Sequence, residues 1–74
     1  MISPIAELTF NGTFALGIAG AGAAIGIGLI GYGAATSVGR NPGASGKILL
    51  QAIIGMALAE AIAIYALVLV FMGK

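Results

Sequence analysis

One acidic residue stands inside a long apolar run. From Ile48 to Met72 the sequence carries a single charge, Glu60, near the middle of the segment. Placed at the centre of a membrane helix, a carboxylate costs about 2.5 to 3.5 kcal/mol, and ionisable groups there mark ion pathways more often than packing. Hydrocarbon favours the neutral acid, so such a carboxyl takes up and releases a proton as its surroundings change. Even the neutral acid needs hydrogen-bond partners in lipid. The candidates are Tyr65, about one and a half turns further on, and backbone carbonyls on an apposed helix. Two plainer roles compete: a hydrogen bond gluing helices together, or a residue facing a small aqueous defect. Gln51 lies close to the polar part of the chain and suits an interfacial position better than a ligand's.

Other chemistries are excluded. The 74 residues include no cysteine and no histidine, which removes disulfide scaffolds, thiol redox centres and zinc sites. Neither a metal nor a cofactor is expected, and no set of residues suggests catalysis. Gly26-Ile27-Gly28-Leu29-Ile30-Gly31 matches the G-x-G-x-x-G spacing of dinucleotide sites. It has no preceding strand, and the next acidic residue, Glu60, is too distant to hold a ribose. A formal net charge of +1 is far too small for a nucleic-acid partner.

The elements that must position Glu60 follow from composition. Hydrophobic residues make up 61% of the chain and charged ones 7%, against about a quarter charged in ordinary globular domains. Thr13 to Val38 holds no charge at all. This run and the one around Glu60 both exceed the ~20 residues that span a hydrocarbon core of about 30 Å. Between them Gly39 to Lys47 is dense in Gly, Pro, Asn and Ser, a turn composition. The expected fold is therefore an all-α membrane protein, a single domain over residues 1–74. It is a two-transmembrane-helix hairpin with helix 1 over about 13–38, a polar loop over about 39–47 and helix 2 over about 48–72. Ser3-Pro4 with Glu7 offers an alternative, earlier helix start. Met1 to Gly12 contains no Lys or Arg, unlike the basic start of a signal peptide. Arg40 and Lys47 in the loop place it on the cytoplasmic side, with both termini outside.

The chain holds thirteen glycines, and eight of them fall between Gly12 and Gly33. At 100° per residue, Gly17, Gly20, Ala24, Gly28 and Gly31 form one stripe about 80° wide, and Ala15, Gly22, Gly26 and Gly33 form a second. Phe14, Ile18, Ile25, Leu29 and Tyr32 fill the arc between them. Small residues let membrane helices approach closely, so two stripes imply tight neighbours on two sides. Two different contact surfaces on one protomer make a head-to-tail interface, which closes into a homo-oligomeric ring. The simpler reading is that these residues pack the two helices of one hairpin together. Folding about Pro42 and Gly43 sets Glu60 opposite Ile25, with Ala24 and Gly26 beside it.

Together these features resemble the c subunit, or proteolipid, of F-type ATP synthase. The resemblance rests on the repeat Gly20-x-Gly22-x-Ala24-x-Gly26-x-Gly28, the loop residues Arg40-Asn41-Pro42, and Ala57-Leu58-Ala59-Glu60-Ala61 followed by Ile64-Tyr65. It implies a non-catalytic rotor ring with first helices inside and second helices outside. Glu60 would bind the transported ion, and Arg40, Asn41 and Pro42 would dock on the central stalk of gamma and epsilon subunits. The a subunit would supply an arginine and two aqueous half-channels, and membrane lipid would surround the ring. Sodium-using members that resemble this chain carry glutamine at the position of Ile27 and a hydroxyl residue at that of Ala61. The chain lacks both side-chain oxygens, so the expected ion is the proton and a sodium-coupled ring is the alternative. A bacterial plasma membrane is the expected location, with mitochondrial inner and thylakoid membranes as alternatives. From another class, a pore-forming or structural hairpin of holin-like kind also suits the composition.

Overall fold

The computed structural model describes residues 11–73. The Ser3-Pro4 helix start, Glu7 and Lys74 lie outside these residues. Helix α1 spans Gly12–Arg40, a 3-10 turn Pro42–Ala44 follows, and helix α2 spans Ser45–Phe71. Asn11 caps α1: its extended backbone turns the Oδ1 atom to accept the Phe14 N–H at 2.7 Å. At the far end Asn41 leaves the helical region (φ −143°, ψ 74°) because Pro42 disfavours helical geometry in the residue before it. The Asn41 N–H still donates to the Ser37 carbonyl at 2.8 Å, and Arg40 carries a positive charge at the negative end of the helix. α2 closes with Gly73 at φ +80°, a left-handed residue past the helix end whose N–H donates to the Val70 carbonyl.

Both helices outrun the segments expected from polarity. Gly39 and Arg40 belong to α1, and Ser45, Gly46 and Lys47 belong to α2. A helix of 29 residues is about 43 Å long, more than the hydrocarbon thickness. Polar residues mark where the chain leaves hydrocarbon, whereas Pro42 marks where the helix must break. Both helices are long and apolar enough to cross a membrane, and in lipid their backbones have no alternative to internal hydrogen bonds.

The hairpin is a single layer of two helices packed side by side. Its two buried residues among those described are Ala23 and Ala52, at 5% and 6% exposure. Around them runs one seam. On α1 it comprises Leu16, Ala19, Ala23, Gly26, Ile30 and Ala34, and on α2 Ile48, Ala52, Gly55, Ala59, Ala63 and Ala66. These three- and four-residue spacings keep one face of each helix turned to its partner. Small residues fill most of the α2 side and bring the backbones close: a Cβ added to Gly26 would lie 3.9 Å from the Ala59 Cβ. Most of the other large apolar residues face outward, including Leu58 and Leu29 at about two thirds exposure. Exposed apolar surface on this scale belongs against lipid or other protein.

Candidate functional site

The register sets the height of Glu60. Gly26 meets Ala59 and Ile30 meets Gly55 across the seam, which puts Glu60 level with Ile25, as the fold about Pro42 and Gly43 predicts. The side of the hairpin differs from that simple picture. Ile25 is 65% exposed and points away from α2 with Phe14, Ile18, Leu29 and Tyr32. Glu60 is exposed and sits about a quarter turn off the seam. Met56, one turn before it, leans against Gly31 of the first glycine stripe. Glu60 therefore stands on the same face of the hairpin as Gly17, Gly20, Ala24, Gly28 and Gly31.

Tyr65 is elsewhere. Five positions along an α-helix amount to about 140° of rotation, so Tyr65 and Glu60 do not share a face. Eighteen positions bring the helix back to the same azimuth, and Tyr65 lines up with Lys47. Lys47, Gln51 and Ser37 border an open groove of about 390 Å³ on the other face of the hairpin, with Gly33 in its wall. Tyr65 itself is 67% exposed. Within one hairpin the Glu60 carboxyl and the Tyr65 hydroxyl look to opposite sides.

No cation of the described chain reaches Glu60. Lys47 lies thirteen residues earlier on the same helix, about 20 Å along its axis, and Arg40 lies beyond it at the end of α1. A charged Glu60 in hydrocarbon would need its counter-charge from outside the hairpin. Among the described residues there is no group of His, Cys, Asp and Glu that could hold a metal ion.

Most of the glycines serve no contact within the hairpin. A Cβ added to Gly17, Gly20, Gly22, Gly28 or Gly33 would meet nothing within 4 Å. Gly26 and Gly31 touch α2, and apart from Gly26, which belongs to the seam, both glycine stripes flank it. The reading in which the stripes pack the two helices together holds for those two positions alone. The seam itself is drawn largely by α2, whose regular Ala52, Gly55, Ala59, Ala63 and Ala66 spacing carries that signal in sequence. At the loop end Arg40, Asn41 and Pro42 are all exposed, Arg40 on the last turn of α1 and Pro42 opening the 3-10 turn.

Residues 12–72 match the family model that describes the ATP synthase C subunit. The chain is 47% identical over 64 residues to the ATP synthase c subunit of Protochlamydia amoebophila, covering 86% of this chain and 65% of that protein. It is 54% identical to that of Syntrophus aciditrophicus, covering 89% of this chain and 64% of the relative. With the corresponding protein of Clostridium beijerinckii the identity is 48%, over 82% of this chain and 90% of the relative. The chain thus spans a little under two thirds of the length of the first two relatives. No solved structure matches it.

Proposed function

The chain belongs to the ATP synthase c-subunit family, and on that premise we propose that it is the ion-carrying protomer of a membrane rotor ring, with Glu60 as its proton site. The observation that carries this is the isolation of Glu60: an exposed acid at mid-span whose nearest cation in the described chain lies about 20 Å away. Facing lipid, the carboxyl must be neutral. Facing an aqueous half-channel and a cation of the a subunit, it can ionise. Rotation of the ring carries the neutral acid between an entry and an exit path, and the ring thereby couples proton flow to ATP synthesis. The chain does no catalysis itself and uses no cofactor. One charge crossing 100 mV releases about 2.3 kcal/mol, so several protomers must act for each nucleotide made.

Assembly follows from the two flat faces. Gly17, Gly20 and Gly28 on one side and Gly22 and Gly33 on the other are free to take a neighbouring copy, head to tail. In such a stack the Glu60 face of one copy meets the Tyr65 face of the next, so Tyr65 becomes a hydrogen-bond partner across the interface. Ile27 and Ala61 offer no side-chain oxygen, which favours the proton over sodium, an ion that needs several oxygen ligands. The loop with Arg40, Asn41 and Pro42 docks on the gamma and epsilon subunits at the cytoplasmic side of a bacterial plasma membrane, and both termini lie outside.

A hydrophobic carbodiimide, which takes the proton of the neutral acid and is then attacked by the carboxyl oxygen, tests the reading. Label is expected on Glu60, faster at mildly acidic pH and with no protection by sodium. Sodium protection would overturn the proton assignment, and an unlabelled Glu60 would defeat the site.

A further inference from the structure

Two tight contacts interlock the helices just below Glu60. A Cβ added to Gly31 would lie 3.2 Å from the Met56 Cε, and one added to Gly55 would lie 3.3 Å from the Ile30 Cδ1. Each helix thus pushes one long side chain into a glycine socket on the other. Ile30 and Gly31 are adjacent in α1, and Gly55 and Met56 are adjacent in α2, so the two sockets lie on opposite sides of the seam. Turning α2 about its axis in one direction drives Met56 into the Gly31 backbone. Turning it the other way drives Gly55 against Ile30. Met56 is also one helical turn before Glu60 on the same face, about 6 Å along the axis.

We propose that Met56 and Gly31, backed by Ile30 and Gly55, are positioning residues for Glu60: the interlock limits rotation of α2 and so fixes the direction in which the carboxyl faces. The idea rests on Glu60 being the working acid. A methyl at position 31 would not unfold the hairpin, because the atom it meets is the free end of an unbranched, flexible side chain. It would instead displace Met56 along the face that carries Glu60.

The test is the rate at which a hydrophobic carbodiimide labels Glu60 in membranes holding the assembled complex. Gly31→Ala is expected to change that rate by about threefold or more, within the range that contacting residues reach in double-mutant cycles. In a Met56→Ala background the same Gly31→Ala change should have no effect, because the added methyl has nothing to displace. Gly55→Ala provides the second case, and Ile30→Val, which removes the touching Cδ1 atom, should relieve it. Gly39→Ala, where a Cβ meets nothing, serves as the control. An unchanged rate in Gly31→Ala and Gly55→Ala, or a change of the same size with and without Met56, would overturn the interlock while leaving the Glu60 reading intact. Absence of label on the unsubstituted protein would overturn the Glu60 reading and the interlock with it.

Discussion

Gly26 and Ala59 face each other across the hairpin at contact distance: a Cβ on Gly26 would stand 3.9 Å from the Ala59 Cβ. That separation falls within the 3.5 to 4.5 Å range, roughly, of disulfide-linked Cβ atoms. The sequence contains no native cysteine, so Gly26→Cys with Ala59→Cys should form one intramolecular disulfide under mild oxidation. Mass spectrometry of the oxidised monomer would detect it. Cross-linking between copies with no internal bridge would show the register to be wrong.

Removing the charge-bearing group at mid-span should abolish coupling while leaving the hairpin in place. Glu60→Gln keeps size and hydrogen-bonding capacity but cannot release a proton. Proton pumping driven by ATP in membrane vesicles is expected to fall to background, with the oligomer still recovered in detergent. Residual pumping in that variant would show that another group carries the ion.

The Tyr65 hydroxyl is predicted to matter only in the assembled ring. Tyr65→Phe removes one hydrogen bond to Glu60 of the neighbouring copy, worth about 0.5 to 1.5 kcal/mol. Carbodiimide labelling of the assembled ring should accelerate by about two- to tenfold, since the freed carboxyl is more accessible. The same substitution should leave the detergent-isolated monomer's labelling rate unchanged, because Tyr65 and Glu60 face different ways within one hairpin.

Two glycines separate the hairpin from the ring. At Gly28 an added side chain meets nothing in the chain, whereas at Gly55 it meets Ile30. Gly28→Leu should insert and fold as a hairpin but yield monomers in place of a large oligomer. Gly55→Leu should spread the helices themselves and lose the Gly26–Ala59 disulfide described above. Native mass spectrometry and cross-linking distinguish the two outcomes, and a Gly28→Leu chain that still assembles would remove the close-packed stripe from the interface.

Much of this protein is legible from single residues. The uncharged stretch from Thr13 to Val38 and the lone acid between Ile48 and Met72 require two membrane helices with one ionisable group at depth, since hydrocarbon tolerates neither open backbone nor casual charge. Pro42 and the residues around it demand the reversal. The helix ends are less legible, because Arg40 and Lys47 look like loop residues by polarity yet continue the helices into the interface.

What depended on the tertiary structure was direction. Periodicity identifies two glycine stripes on α1 but cannot say which part of the helix α2 will cover. The alanine seam of α2 packs between the stripes, and that choice leaves Gly17, Gly20, Gly22, Gly28 and Gly33 open. It also puts Glu60 on one face of the hairpin and Tyr65 on the other. The physical reason is that sequence spacing fixes angles within one helix, whereas the relative rotation of two helices is set by how their side chains interlock, here through Ile30 with Gly55 and Met56 with Gly31.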